Sequence, residues 1–212
     1  MFKRVLGLIA VAGLALGLAG CGYNTIPTKE ETAKTKWSDV AAAYQYRADL
    51  IPQLVSTVKG AAANERAILN DVVTARANAT KVSVDASTIT DPEKFKQFQE
   101  AQNGVGSALG RLMVIQENYP NLKSNDNFRD LMVSINGAQS RILIAQRDYN
   151  AAAQDYNTEL RTFPGVVWAK TAHSGAKPLA YFTAMDPAAA TPGGAVKAPE
   201  VNMDSVGAPA SK

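Results

Sequence analysis

The sequence predicts an all-α protein, an antiparallel bundle of three to four long helices, and three observations carry that prediction. Phe128, Ile135, Ile142, Tyr149, Tyr156 and Phe163 recur at intervals of seven without a slip, the spacing that returns a side chain to one seam after two helical turns. Trp37, Tyr44, Ile51, Val58, Glu65, Val72 and Ala79 keep the same interval earlier in the chain. Between about Thr28 and Phe163 there is almost none of the period-two alternation that a half-buried strand needs. A chain of 212 residues has room for one domain with a core of its own. Its 46% hydrophobic and 19% charged content is that of a globular protein.

Residues 1–20 read as a secretory signal peptide. Lys3 and Arg4 form the charged start, Val5 to Leu18 is apolar or small, and Leu18-Ala19-Gly20-Cys21 closes the segment. That run of fourteen residues falls short of the roughly 20 that span a bilayer. The closing four resemble the lipobox of bacterial lipoproteins, in which Leu and two small residues precede a lipid-bearing Cys. The resemblance implies a diacylglyceryl group on Cys21, cleavage before it, and a fatty acyl chain such as palmitate on the new amine. It would cap the only thiol in the chain, which has no partner for an intramolecular disulfide. Two or three acyl chains hold a protein at a membrane stably where one is marginal. An uncleaved transmembrane helix ending at Cys21 is the alternative, and both readings place the domain outside the cytoplasm, because Lys3 and Arg4 hold the N-terminus inside. By the sorting pattern of enteric lipoproteins, Gly22 after the cysteine favours the periplasmic face of the outer membrane over the inner membrane.

Residues 21–28 form a lipidated linker, and the bundle is expected over 29–164. Its first helix spans about Lys29 to Lys81, with Val40, Ala48, Leu54, Val55, Ile68 and Ala75 flanking the main series. Pro52 interrupts it, and because the heptad phase survives across the proline the helix is expected to kink there rather than split. A middle helix of about Pro92 to Asn118 opens with Thr90 or Asp91 as cap and Pro92 at the first position. Phe95, Phe98, Val105, Leu109, Leu112 and Ile115 make its buried stripe. Gly104, Gly106 and Gly110 each lower its helicity by roughly 1 kcal/mol, which close packing on a neighbour would offset. The last helix, about Asn125 to Thr162, is capped by Asn125 or Asp126 and pairs its large residues with Leu131, Ala138, Ala145 and Ala152. Residues 165–185, with Val166, Val167, Trp168, Leu179, Tyr181 and Phe182, are expected to pack irregularly on the bundle. The Ala, Pro, Gly and Ser composition of 186–212 is too poor in large apolar groups to fold.

A set of local strings resembles the LemA family of bacterial envelope proteins. They include Tyr23-Asn24, Trp37-Ser38-Asp39-Val40, Arg47-Ala48-Asp49-Leu50-Ile51-Pro52-Gln53-Leu54-Val55, Leu109-Gly110-Arg111-Leu112, Glu117-Asn118-Tyr119-Pro120-Asn121-Leu122-Lys123, Arg147-Asp148-Tyr149-Asn150 and Phe163-Pro164. The likeness covers about residues 23–182. It implies a membrane-attached antiparallel bundle of long helices without an established enzymatic activity. The chain departs from the family pattern in carrying a lipidation signal where most relatives have a transmembrane helix. It also has Tyr46-Arg47 in place of two arginines, and Gln139 near a family Glu.

The residues give no catalytic centre. His173 is the only histidine, which excludes a multi-histidine metal site and leaves a His-dependent triad with nothing but a residue in an irregular segment. Cys21 is committed to lipid, and no glycine loop follows a strand to cradle a phosphate, so no cofactor is expected. Removing Lys3 and Arg4 leaves 20 basic against 19 acidic residues, a net charge of +1, and no case for nucleic acid. Glu65 occupies a stripe position and therefore needs a cation, for which Arg111, Arg141 and Arg147 are the candidates. A paired Glu65 and Glu117 metal or ligand site is the functional alternative to that structural bridge. Asn127, Asn150 and Asn157, with Tyr149 and Tyr156, are further polar-core candidates. The function that follows is a non-enzymatic envelope lipoprotein, a scaffold or adaptor for other envelope proteins, with self-association through leftover stripes as a further expectation. A small-molecule or lipid carrier, or a sensor, using a groove between helices is the alternative.

Overall fold

The computed structural model describes residues 22–61, 66–115 and 119–183. Among these residues the chain is all-α: α1 Thr25–Ala61, α2 Arg66–Lys81, α3 Ala86–Thr90, α4 Pro92–Ile115, α5 Pro120–Lys123, α6 Asp126–Glu159 and α7 Gly165–Lys170. Helices α1 and α6 make the main seam and run antiparallel. Lys29 near the start of α1 meets Glu159 at the end of α6 (3.0 Å), and Gln146 donates to the Tyr44 hydroxyl further along (2.6 Å). Helix α2 folds back along α1, and α4 returns parallel to α1, so that the Trp37 ring lies 5.9 and 5.1 Å from Phe95 and Phe98. The long helices thus alternate in direction.

The predicted seams supply the core. Trp37, Tyr44, Ile51, Val58, Val72 and Ala79 are buried, as are Phe128, Ile135, Ile142, Tyr149 and Tyr156. Each large side chain taken from water contributes about 1.5–3 kcal/mol. Ile51, Leu54, Val58, Leu69, Val105, Leu112, Leu122, Phe128 and Ile135 form one apolar cluster. Aromatic rings fill the level above it, where Trp37 lies 5.4 Å from Tyr149, and Tyr44 meets Phe98 edge-on at 5.2 Å. The helix starts follow ordinary capping chemistry. The Asn125 side chain accepts from the Phe128 N–H at 3.1 Å, and Asp91 accepts from the N–H groups of Glu93 and Lys94 at 3.0 and 3.3 Å.

Helix α1 runs through Pro52 without breaking. Proline has no N–H for the carbonyl four residues back, so the Ala48 carbonyl loses its helical partner. Arg76 of α2 donates its Nε–H to that oxygen at 2.8 Å. A tertiary contact therefore replaces the missing helical bond. The expected first helix to Lys81 is instead two helices, one ending at Ala61 and the next beginning at Arg66.

Four expectations need correction. Phe163 is 84% exposed, because α6 ends at Glu159 and the periodicity has no helix left to act on. Ala153 rather than Ala152 is fully buried, since a straight helix drifts about 20° per heptad and passes the seam to the next residue. Residues 165–170 are a helix, not an irregular segment. A methyl group at Gly165 would strike the Glu159 carbonyl, so glycine is required there. Finally, Gly104 and Gly110 do not pack against a neighbour, as a Cβ at either would meet open space. The side chain of Ile115 and residues 184–212, the expected tail included, lie outside the described residues.

Two outcomes follow. Gly104→Ala and Gly110→Ala should each raise stability by about 0.5–1 kcal/mol, read as a higher urea midpoint; a lower midpoint in either would show that these faces are occupied. Arg76→Ala should cost about 1–3 kcal/mol in the natural background, because it orphans the Ala48 carbonyl. In a Pro52→Ala background the residue-52 N–H serves that carbonyl and the cost should shrink by at least about 0.5 kcal/mol. An equal cost in both backgrounds would remove the compensation from the account.

Candidate functional site

The heptad rhythm of α1 reads Trp37, Val40, Tyr44, Arg47, Ile51, Leu54, Val58, with steps of three and four. Arg47 therefore stands at a seam position where an apolar residue is the rule, and it is only 4% exposed. On α4 the series Phe95, Phe98, Gln102, Val105 brings Gln102 to the same level, also buried. The Arg47 guanidinium donates through Nη2 to the Gln102 carbonyl (3.0 Å) and to Gln102 Oε1 (2.9 Å). Through Nη1 it donates to Gln139 Oε1 on α6 (3.1 Å). The guanidinium also lies 5.1 Å from the centre of the Tyr44 ring, close enough for attraction to the ring face.

This layer joins α1, α4 and α6 through one cation and neutral amides. Among the described residues no carboxylate lies within ion-pair distance of Arg47. Burial lowers the Arg47 pKa from its ordinary value, with the Tyr44 hydroxyl acting the other way, and the group stays charged at physiological pH. Burial likewise pushes the Tyr44 hydroxyl up, against the pull of Arg47 and the Gln146 hydrogen bond.

A second polar layer closes the far end of α6. Asn157 donates to the Leu179 carbonyl (2.9 Å) and accepts from the Leu179 N–H (2.8 Å), so its amide pairs with backbone as a neighbouring strand would. Asn157 also donates to the Tyr181 hydroxyl (2.7 Å), and Tyr149 donates to the Ala180 carbonyl (2.8 Å). The Ala180 N–H reaches the Ile89 carbonyl at 2.9 Å. Burial holds the Tyr149 hydroxyl well above the usual range. Tyr156 is pushed up to about 12, by burial first and the Glu30 charge second. His173 sets its Nε2 3.0 Å from the Tyr23 carbonyl, with the two rings 5.2 Å apart. These groups bind the C-terminal stretch to the bundle.

On the outside, α1 and α6 border a groove of about 400 Å³ lined by Asp39, Ala42, Ala43, Tyr46, Arg141 and Ile144 among others. Ile144, its neighbour Leu143 and Val133 are all more than half exposed.

The polar-core candidates are redistributed by the structure. Tyr149 is fully buried and Asn150 is half-buried. Arg111, Arg141 and Arg147 are corrections, since all three are exposed. Arg111 pairs with Asp71 at 3.2 Å, both more than half exposed, a contact worth little. Arg141 lies over the Tyr46 ring at 5.1 Å, and Arg147 stands 3.5 Å from Asp148. Arg141 adjoins buried Ile142, and one residue is a turn of about 100° away from the seam. Asn127 is exposed too. Cys21, Glu65 and Glu117 lie outside the described residues. The residue that the sequence reading passed over is Arg47; its place in the three-and-four rhythm was the signal. Gln139, noted only as a departure from a family pattern, is its partner. Among the described residues there is no group of three or more His, Cys, Asp or Glu able to hold a metal, and no helix long and apolar enough to cross a membrane.

A sequence model of the LemA family matches residues 36–197. Magnetosome proteins MamQ 1 and MamQ 2 of Paramagnetospirillum magneticum are each 30% identical over 158 residues, covering 67% of this chain and 58% of theirs. Magnetosome protein MamQ of Magnetospirillum gryphiswaldense is 30% identical over 162 residues, with the same shares. The chain thus spans little more than half the length of these relatives.

Proposed function

From the premise that this chain belongs to the LemA family, we propose that it works without catalysis, as a membrane-tethered scaffold holding other proteins of the cell envelope. The observation that carries this reading is the division of labour between inside and outside. The buried Gln102, Asn157 and Tyr149 turn their side-chain polar groups to Arg47, to Tyr181 and to backbone. Large apolar side chains meanwhile remain outside on one helix face, where Val133 and Ile144 share a side of α6. Tyr46 and Ile144 line the groove, and Asp39, Arg141 and Asp148 give it a charged rim. An apolar centre with a polar rim is the anatomy of a protein-binding patch.

Lipidation at Cys21 supplies the tether. The cysteine stands four residues before α1 begins at Thr25, and four residues reach at most about 14 Å. The α1 start would therefore sit close to the lipid surface, with the long helices projecting from it. Gly22 favours the periplasmic face of the outer membrane. A groove of about 400 Å³ floored by Ala42, Ala43 and Ala145 favours a second reading, a carrier of a small apolar molecule.

The test uses the full chain in its own envelope. Cys21→Ser should abolish incorporation of labelled fatty acid and move the mature protein from the membrane pellet to the soluble fraction. If the variant remains in the pellet at its normal size, the tether is not a lipid on Cys21. Crosslinking in intact cells should give the same discrete adducts repeatedly, and Leu143→Lys with Ile144→Lys should remove them while the helical circular dichroism is unchanged. Absence of reproducible adducts, together with copurifying lipid in native mass spectra, would favour the carrier.

A further inference from the structure

We propose that Arg47 and the cavity beside it bind a small monovalent anion, a halide ion or a carboxylate of formate or acetate size. The site is independent of the scaffold reading.

The cavity measures about 80 Å³ and lies where α1, α2 and α4 meet, with Tyr44, Arg47, Thr80, Val82, Gln102 and Val105 among its walls. Two features of those walls select the ligand. The first is charge. A guanidinium carries five N–H donors. Three are taken, by Gln139 Oε1 and by the carbonyl and Oε1 of Gln102. That leaves two without a hydrogen-bond partner among the described residues, on a side chain that is 4% exposed overall and whose Nε keeps a trace of solvent contact. Arginine does not relieve its burial by losing the proton, and amide oxygens return only part of the hydration that a buried cation gives up. A counter-ion within hydrogen-bond reach restores the balance, and the described part of the chain supplies none. One positive charge calls for one negative charge.

The second feature is size and wall chemistry. A space of about 80 Å³ takes a halide or a one- or two-carbon carboxylate with about one water. It is too small to enclose a nucleotide or a gluconate. Gln102 gives the ligand a polar neighbour, while the half-buried Val82 and buried Val105 narrow the water-filled space around Arg47 and so strengthen the attraction to it. Gln45, Thr80 and Val84 are exposed residues in the same wall, which gives the ligand a way in.

The experiment is thermal unfolding of the full-length protein in nonionic detergent, at constant ionic strength. Chloride or formate progressively replaces gluconate. With the natural chain, Tm should rise by roughly 3–6 °C for each tenfold of anion above its dissociation constant. Gln139→Glu sets a carboxylate against Nη1, so its Tm in gluconate should match or exceed that of the natural chain in chloride, and its response to chloride should vanish. Line width of the ³⁵Cl resonance gives a readout that no variant affects: the natural protein should broaden it, and formate should restore it. Equal Tm in all three salts, an undiminished chloride response in Gln139→Glu, or a chloride line that the natural protein does not broaden, would each overturn the proposal. A cavity holding water alone gives those results.

Discussion

The antiparallel seam between α1 and α6 is the constraint on which the rest of the bundle depends, and its register is a polar problem. Apolar residues spaced by seven do not by themselves fix how two helices align. Sliding α6 by one heptad still sets large side chains against the same surface. What changes is the partner of each polar group. One slip would place Met132 where Gln139 now accepts from Arg47, burying a cation against a thioether. The opposite slip offers Gln146 to Arg47, an equivalent amide, but moves Ala153 to the Tyr44 hydroxyl and leaves that oxygen without its donor. Each contact forbids the slip that the other tolerates. The observed alignment, with Gln139 on Arg47 and Gln146 on Tyr44, keeps both.

That division explains which parts of the fold were legible. Periodicity is a one-dimensional signal, so the stripes on α1, α4 and α6 and the caps at Asp91 and Asn125 could be read along the chain. Phe163 and Ala152 mark its limits, because heptad counting continues past a helix end and ignores the drift of a 3.6-residue turn. The candidate site was less accessible. Arg111, Arg141 and Arg147 were considered for their charge as partners of Glu65, but helical angle decides burial, and it turns them outward. Arg47 satisfies the angle, and its charge at a seam position is balanced by amides, not by a carboxylate. The pairing of Asn157 with the backbone of Leu179 joins residues 22 positions apart in segments of different type. No local pattern announces such a contact.

Pro52 shows how the tertiary structure permits a local violation. In an isolated helix, proline at that place costs about 3 kcal/mol, partly through the orphaned carbonyl. Here the carbonyl is satisfied by Arg76 from the neighbouring helix. The rod-like length of α1, 37 residues, is thus a property of the packed bundle and not of its own sequence. The same contact ties α2 to α1 at Ala48, the residue after Arg47, so helix length and interior polarity are coupled through adjacent residues.

The composition of the Arg47 layer then has a physical consequence. A carboxylate among its partners would complete an ion pair and leave the cavity with nothing to attract. Amides at Gln102 and Gln139 do the opposite: they orient the guanidinium and leave its charge unneutralised. Neutral partners also avoid the strain of two desolvated charges, which often fails to recover its own cost. An interior built this way fixes the helix register through geometry alone. Its residual positive potential reaches the cavity wall formed with Thr80 and Val105. Stability and ligand affinity are therefore drawn from the same side chain, and occupancy of the cavity would stiffen the very seam that sets the bundle's alignment.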